Sequence, residues 1–310
     1  AGLVDGRAAP PAPLPPALAA ALRPYQRDGV SWLAFLRTLG LHGVLADDMG
    51  LGKTLQTGAA IAAAAADAAA TGAPAKPSLV VCPTTLVGHW EAEVRKHAPL
   101  AALTVLRYEG LPAVRAKLRG AVSPKPGSKA ASSPPPSIVV MSYDTLRADA
   151  AWVSGVRWRY AVLDEGHAIR NPHSRLAAAA RGVVAEHRLI LSGTPIQNDV
   201  REMWALFDWL MPGFLGAERA FSSRYGKALD AARTSKKQLA AAAEALLSVA
   251  DLHAQVMPFV LRRTKGAVLT ELPPKTVLDV VVDPSPLQDA LLAAASASGG
   301  GAAAAAALAA

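Results

Sequence analysis

The chain has 310 residues, enough to bury a core and, at roughly 150 residues each, to form about two domains. Its 52% hydrophobic content includes 68 alanines, and no run of 18 or more strongly apolar residues occurs, which excludes a membrane-crossing helix. One cysteine, Cys82, excludes an internal disulfide framework and a multi-cysteine zinc site, while a net charge of +8 permits a polyanionic partner without identifying one.

In chain order, residues 1–21 lack a basic cluster followed by an apolar core and show no helical periodicity, so they read as a Pro/Ala linker. An opening inside such a linker, with a close in ASASGGGAAAAAALAA, points to a piece of a longer polypeptide. Short apolar runs follow at Val44–Ala46, Leu79–Val81, Leu103–Leu106, Ile138–Met141, Ala161–Leu163 and Leu189–Leu191, each predicting a buried strand. Crossover helices are expected at Thr54–Ala70, Leu86–His97, Leu111–Arg119 and Ser174–Val184. Strands alternating with helices of that length make parallel βαβ units and an open α/β sheet. The Pro/Ser/Gly-rich stretch 122–137 reads as a solvated surface insertion. After Asn198 the strand signals stop, and residues 200–262 are expected to be helical, with Trp204, Phe207 and Leu210 at helical spacing as core or docking residues.

Three segments carry chemistry. GVLADDMGLGKT, Gly43–Thr54, is a strand, a glycine loop and a helix start. Glycines let backbone N–H groups wrap phosphate oxygens, the helix N-terminus adds positive potential, Lys53 reaches the β and γ phosphates, and the Thr54 hydroxyl suits Mg²⁺. The general pattern has glycine where this chain has Asp47, so the loop alone also fits a glycine-rich turn capping an ordinary helix. YAVLDEGH, Tyr160–His167, brings Asp164 and Glu165 to the carboxyl end of an apolar strand, where open α/β sheets bind ligands. Asp164 is the candidate metal partner, and Glu165 the candidate for polarising an attacking water. HRLILSGTPIQN, His187–Asn198, ends another strand in Ser192, Gly193 and Thr194, which with His167 are candidates for relaying nucleotide state to a second site.

Together YQRDG (Tyr25–Gly29), DDMGLGKT, VVCPTTL (Val80–Leu86), MSYD (Met141–Asp144), DEGH and LSGTPIQN resemble, in order and spacing, the first RecA-like lobe of the SNF-type helicase-related ATPases. That family carries aspartate at the position of Asp47. LMPGFLG (Leu210–Gly216) and RYGK (Arg224–Lys227) resemble most the branch that removes TATA-binding protein from promoter DNA. The resemblance implies an α/β RecA-like P-loop lobe over 22–198 with the 122–137 insertion, and a helical appendage over 199–265. Residues 266–310 become a connector toward a second lobe, with an Ala/Gly-rich tail.

It further implies ATP and Mg²⁺ as cofactors, with Gln26 on the adenine edge and Asp48, Met49, Gly50, Leu51, Gly52, Lys53, Thr54 and Leu55 around the nucleotide. Thr54 and Asp164 would hold the metal. Double-stranded DNA would meet Pro83, Thr84, Thr85, Ser142 and Tyr143, with the backbone tracked rather than the sequence read. TATA-binding protein would be engaged through parts outside these residues, in the nucleus, with no membrane partner. Trp90 and Tyr143 either stack on a base or pack internally, and Cys82 is expected to be a small buried hydrophobe. Full hydrolysis would need an arginine from the second lobe, so these residues alone are expected to bind Mg·ATP weakly and turn it over slowly. A docking scaffold, another small P-loop enzyme and a chromatin remodeller of a different SNF-type branch remain the competing readings.

Overall fold

The structure is a computed structural model, and it describes residues 9–101, 103–123, 134–193, 200–226, 250–269, 271 and 278–297. Among the described residues seven strands, β1 (Gly43–Leu45), β2 (Ser78–Cys82), β3 (Val105–Arg107), β4 (Ile138–Ser142), β5 (Arg157–Asp164), β6 (Val184–Leu191) and β7 (Val260–Leu261), form one sheet in the order β3-β4-β2-β5-β6-β1-β7. Every pairing is parallel. Each connection must therefore cross a face of the sheet, and helices cover both faces.

Side-chain alternation divides the core in two. Val44, Leu79, Val81, Val139, Met141, Leu163 and Ile190 point to one face, beneath α6 (Tyr143–Ala148), α7 (Ala150–Gly155), α8 (Arg175–Arg181) and α9 (Val200–Leu210). Leu45, Val80, Cys82, Val140, Val162 and Leu191 point to the other, against α1 (Pro16–Ala21), α2 (Pro24–Thr38), α3 (Lys53–Ala70) and α4 (Val87–Ala101). Helix α3 is nearly all alanine over its second half, a composition with the best helix propensity and no bulk to keep the helix from the sheet. The aromatic stripe of α9 is core: Phe207 and Trp209 are buried, and the Trp209 indole N–H donates to the Ala180 carbonyl at 3.0 Å.

Three expectations change. Part of the expected Pro/Ala linker is helix α1, which Pro16 opens at a position where a missing N–H costs nothing; its Leu18 is buried, as is Leu22 just past its end. Helices α2, α6 and α7 are not among the expected elements. The appendage does not stay helical, since Val260–Leu261 return to the sheet as β7 beside β1; a two-residue strand carries no alternation to read. Of the expected insertion, Val122 ends α5 (Pro112–Val122) and is buried, residues 134–137 are described, and 124–133 lie outside the described residues. Residues 271–310 form a separate unit, in which 278–285 are exposed and Pro286–Ala297 are helical. No described helix is long and apolar enough to cross a membrane.

Candidate functional site

Parallel strands share one polarity, so the loops leaving their carboxyl ends gather along one sheet edge. The loop after β1 reaches α3 through Gly50 at φ +86° and Gly52 at φ +77°, left-handed positions that only glycine takes without strain. Gly52 has a second constraint: a Cβ there would stand 2.4 Å from Gln26 Nε2. The eighteen-residue α3 then begins at Lys53, presenting its unpaired N–H groups and positive end to the loop. The Lys53 ammonium donates to the Asp47 carbonyl at 2.8 Å, so it lies along the loop rather than out in solvent. Thr54 stands in the first turn, and Met49 is exposed on the loop crest.

At the end of β5, Asp164 is buried and doubly held. Its Oδ2 accepts the Trp90 indole N–H at 2.7 Å, and its Oδ1 accepts the backbone N–H of Glu165 at 3.1 Å. Burial pushes the Asp164 carboxyl above the usual carboxylate range, and the Trp90 hydrogen bond works against that rise. The Tyr143 hydroxyl donates to the Asp164 carbonyl at 2.7 Å, and burial keeps this phenol protonated far into alkaline pH. Glu165 has φ +52°, the sole positive φ at a non-glycine among the described residues. Such strain persists where surrounding contacts over-determine it and concentrates at working sites. It turns Glu165 away from the strand direction, and Glu165 Oε2 lies 3.4 Å from Nδ1 of the exposed His167. Gly166 is required between them, since a Cβ would meet Ile190 Cγ2 at 2.5 Å.

The third segment joins the first. Ser192 is buried and its N–H donates to the Leu45 carbonyl at 3.2 Å, while a Cβ on Gly193 would lie 3.2 Å from Met49 Cγ. Thr194 lies outside the described residues. Gln26 is buried against the loop: its amide accepts from the Arg23 N–H at 2.9 Å and donates to the Leu51 carbonyl at 3.2 Å, leaving one N–H and one lone pair. At the same sheet edge Pro83 is half-buried, Thr84 and Thr85 are exposed, and Ser142 caps α6 by accepting the Thr145 N–H at 3.2 Å.

Trp90 and Tyr143 pack internally, and both terminate on Asp164; the sequence offers packing for each but not this shared target. Cys82 is buried with its thiol pushed up to about 12 by burial and by Asp164. Among the described residues no three His, Cys, Asp or Glu side chains gather as a metal cluster. The arrangement offers instead one hydroxyl, one carboxylate and a helix N-terminus behind a glycine loop, a donor set whose oxygens fit a hard cation such as Mg²⁺.

Comparison with known proteins agrees with this geometry. The family model described as SNF2-related domain matches residues 25–298. "TATA-binding protein-associated factor BTAF1" of Arabidopsis thaliana is 47% identical over 269 residues, covering 86% of this chain and 13% of the relative. "TATA-binding protein-associated factor MOT1" of Saccharomyces cerevisiae is 46% identical, covering 93% of the chain and 15% of the relative. The human "TATA-binding protein-associated factor 172" is 44% identical, covering 92% and 15%. The chain therefore spans about one seventh of these relatives. A solved structure, "Sulfolobus solfataricus SWI2/SNF2 ATPase core in complex with dsDNA", superposes with a TM-score of 0.64 at 33% identity, covering 88% of this chain and 51% of that one.

Proposed function

Because the chain belongs to the SNF2-related domain family, we propose that it is the ATP-binding lobe of a double-stranded-DNA translocase, a nuclear enzyme that removes TATA-binding protein from DNA. The observation that carries the catalytic part is the convergence of three strand ends. The glycine loop with Lys53, the Asp164–Glu165 pair and Ser192–Gly193 lie on one sheet edge, each fixed by contacts of its own. The TATA-binding-protein part is supported by the names of the relatives, and the DNA part by the double-stranded DNA with which the Sulfolobus ATPase core is in complex.

In this reading the amides of Gly50–Thr54 and the Lys53 ammonium hold the β and γ phosphates, and the remaining N–H of Gln26 is assigned to the base. The Thr54 hydroxyl and the Asp164 carboxylate are the protein's metal ligands, and bound Mg²⁺ would offset negative charge on the phosphates. Glu165 accepts a hydrogen bond from water and takes its proton as the water oxygen bonds to the γ phosphorus. The bond from that phosphorus to the bridging oxygen breaks, and ADP leaves with the electron pair. Pro83, Thr84, Thr85 and Ser142 are assigned to the DNA backbone, and His167, Ser192, Gly193 and Thr194 to coupling. A facing lobe supplies the further positive charge that RecA-type sites need.

Calorimetric titration of the 310-residue chain with Mg·ATP tests the site. Weak binding, abolished by Lys53→Ala and accompanied by slow turnover, is expected. Unchanged binding by Lys53→Ala refutes the cradle, and DNA-stimulated turnover at the rates of a two-lobed enzyme refutes the need for a second lobe.

A further inference from the structure

The general phosphate-loop pattern begins with glycine, and this chain places Asp47 there. The side chain is fully buried. Its Oδ1 accepts both the backbone N–H of Arg263 at 3.1 Å and Arg263 Nε at 2.9 Å. Its Oδ2 accepts Arg263 Nη2 and, at 3.1 Å, Gln56 Nε2 from α3. Arg263 Nη2 also donates to Gln56 Oε1 at 2.7 Å, Nη1 donates to the Tyr25 carbonyl, and the guanidinium lies 5.4 Å from the Tyr25 ring centre. The main chains run together beyond the end of β7: Ala46 N–H donates to the Leu261 carbonyl at 2.7 Å, Asp48 N–H to the Arg263 carbonyl at 3.0 Å, and Lys265 N–H to Asp48 Oδ2 at 3.0 Å.

The loop entry is thus laced to a segment more than two hundred residues downstream by main chain and by a forked, charge-assisted pair. Such a pair is strong and geometrically specific, and lysine cannot reproduce it. An exposed ion pair would constrain little, whereas a buried one leaves an uncompensated charge when either partner is lost. Gly29, in the interior of α2 where glycine is unfavourable, has its reason here. A Cβ at Gly29 would stand 2.1 Å from Gln56 Oε1 and 2.7 Å from Arg263 Nη2. The consequence reaches the nucleotide, because the Lys53 ammonium bonds to the carbonyl of Asp47 itself.

We propose that Arg263 is a positioning residue for nucleotide binding: through Asp47 and Gln56 it sets the loop entry so that the amides and Lys53 converge on phosphate. The segment Leu261–Lys265 thereby becomes part of the nucleotide site. The proposal rests on the nucleotide-binding reading above, and Gly29 serves it by leaving room for the clamp.

The test uses the 310-residue chain with Gly29→Ala, Arg263→Lys and, as control, Lys53→Ala. Mg·ATP affinity, the thermal unfolding midpoint and amide hydrogen exchange are measured for each. Gly29→Ala crowds the clamp from behind while improving helix propensity, so it separates positioning from folding. Expected are at least tenfold weaker binding for Gly29→Ala and Arg263→Lys, faster exchange confined to residues 46–54, and a Gly29→Ala midpoint within a few degrees of the unaltered chain. Weakened Lys53→Ala beside unchanged affinity in the other two variants overturns the clamp alone. A Lys53→Ala affinity equal to that of the unaltered chain overturns the nucleotide site, and the clamp proposal with it. Affinity losses that vanish once corrected for the unfolded fraction also overturn the clamp.

Discussion

Trp90→Phe tests whether the indole N–H holds Asp164 for its work. The donor is lost from a 2.7 Å bond to a buried carboxylate, and the phenyl ring cannot replace it. A hydrogen bond to a charged group contributes about 1.5–3 kcal/mol, and leaving a buried acceptor unpaired forfeits that amount. The smaller ring also opens a cavity, so the single variant mixes two effects and is expected to lose about 3 kcal/mol in total. For a lobe of this size that corresponds to roughly 6–12 °C in the unfolding midpoint. A double-mutant cycle with Asp164→Ala removes the packing contribution and isolates the pair. The coupling read by denaturant unfolding is expected at about 1.5–3 kcal/mol. The functional arm compares ATP affinity with Mg²⁺ and in EDTA: Trp90→Phe should weaken binding only when the metal is present. A coupling below about 0.5 kcal/mol, or equal loss with and without metal, would show that the indole does not hold Asp164 in place for the metal.

Three further expectations follow from single residues. Glu165→Gly relieves the left-handed backbone and should stabilise the fold by about 1 kcal/mol over Glu165→Ala while both lose hydrolysis; equal stability of the two would remove the strain argument. Gly166→Ala forces a Cβ to 2.5 Å from Ile190 Cγ2 and should cost about 1–3 kcal/mol in denaturant unfolding, a loss under about 0.5 kcal/mol counting against this close packing. His187 is held down to about 4 by burial, with His42, Arg37 and Arg159 adding to the fall and Glu186 opposing it. Its folded value is depressed, so the stability it supports is present above the unfolded value near 6.5 and is lost as pH falls toward 4. After allowance for solvent screening the loss by pH 5 is about 1 kcal/mol, and His187→Gln should flatten that slope.

The patterns legible in the sequence are those written over a few adjacent residues. Apolar runs mark six of the seven strands among the described residues, and the polarity of each motif, strand then glycine or carboxylate, places the candidate residues at strand ends. Glycines 50 and 52 and the Asp164–Glu165 pair are recognisable because backbone shape and charge are local properties. Adjacent residues carry less information about Trp90, whose ring reads as packing and whose N–H serves a carboxylate 74 positions away.

Strand order, β7 and the Asp47–Arg263 pair belong to the tertiary structure alone. A two-residue strand has no periodicity, and a buried aspartate looks like a solvated one until its partner, 216 positions distant, is beside it. The residues proposed to carry the chemistry are recognisable from motif and spacing, because backbone propensity and side-chain type act over a turn or a strand. Which groups hold that chemistry in place was decided by the parallel sheet, since burial and hydrogen-bond pairing depend on neighbours in space rather than along the chain.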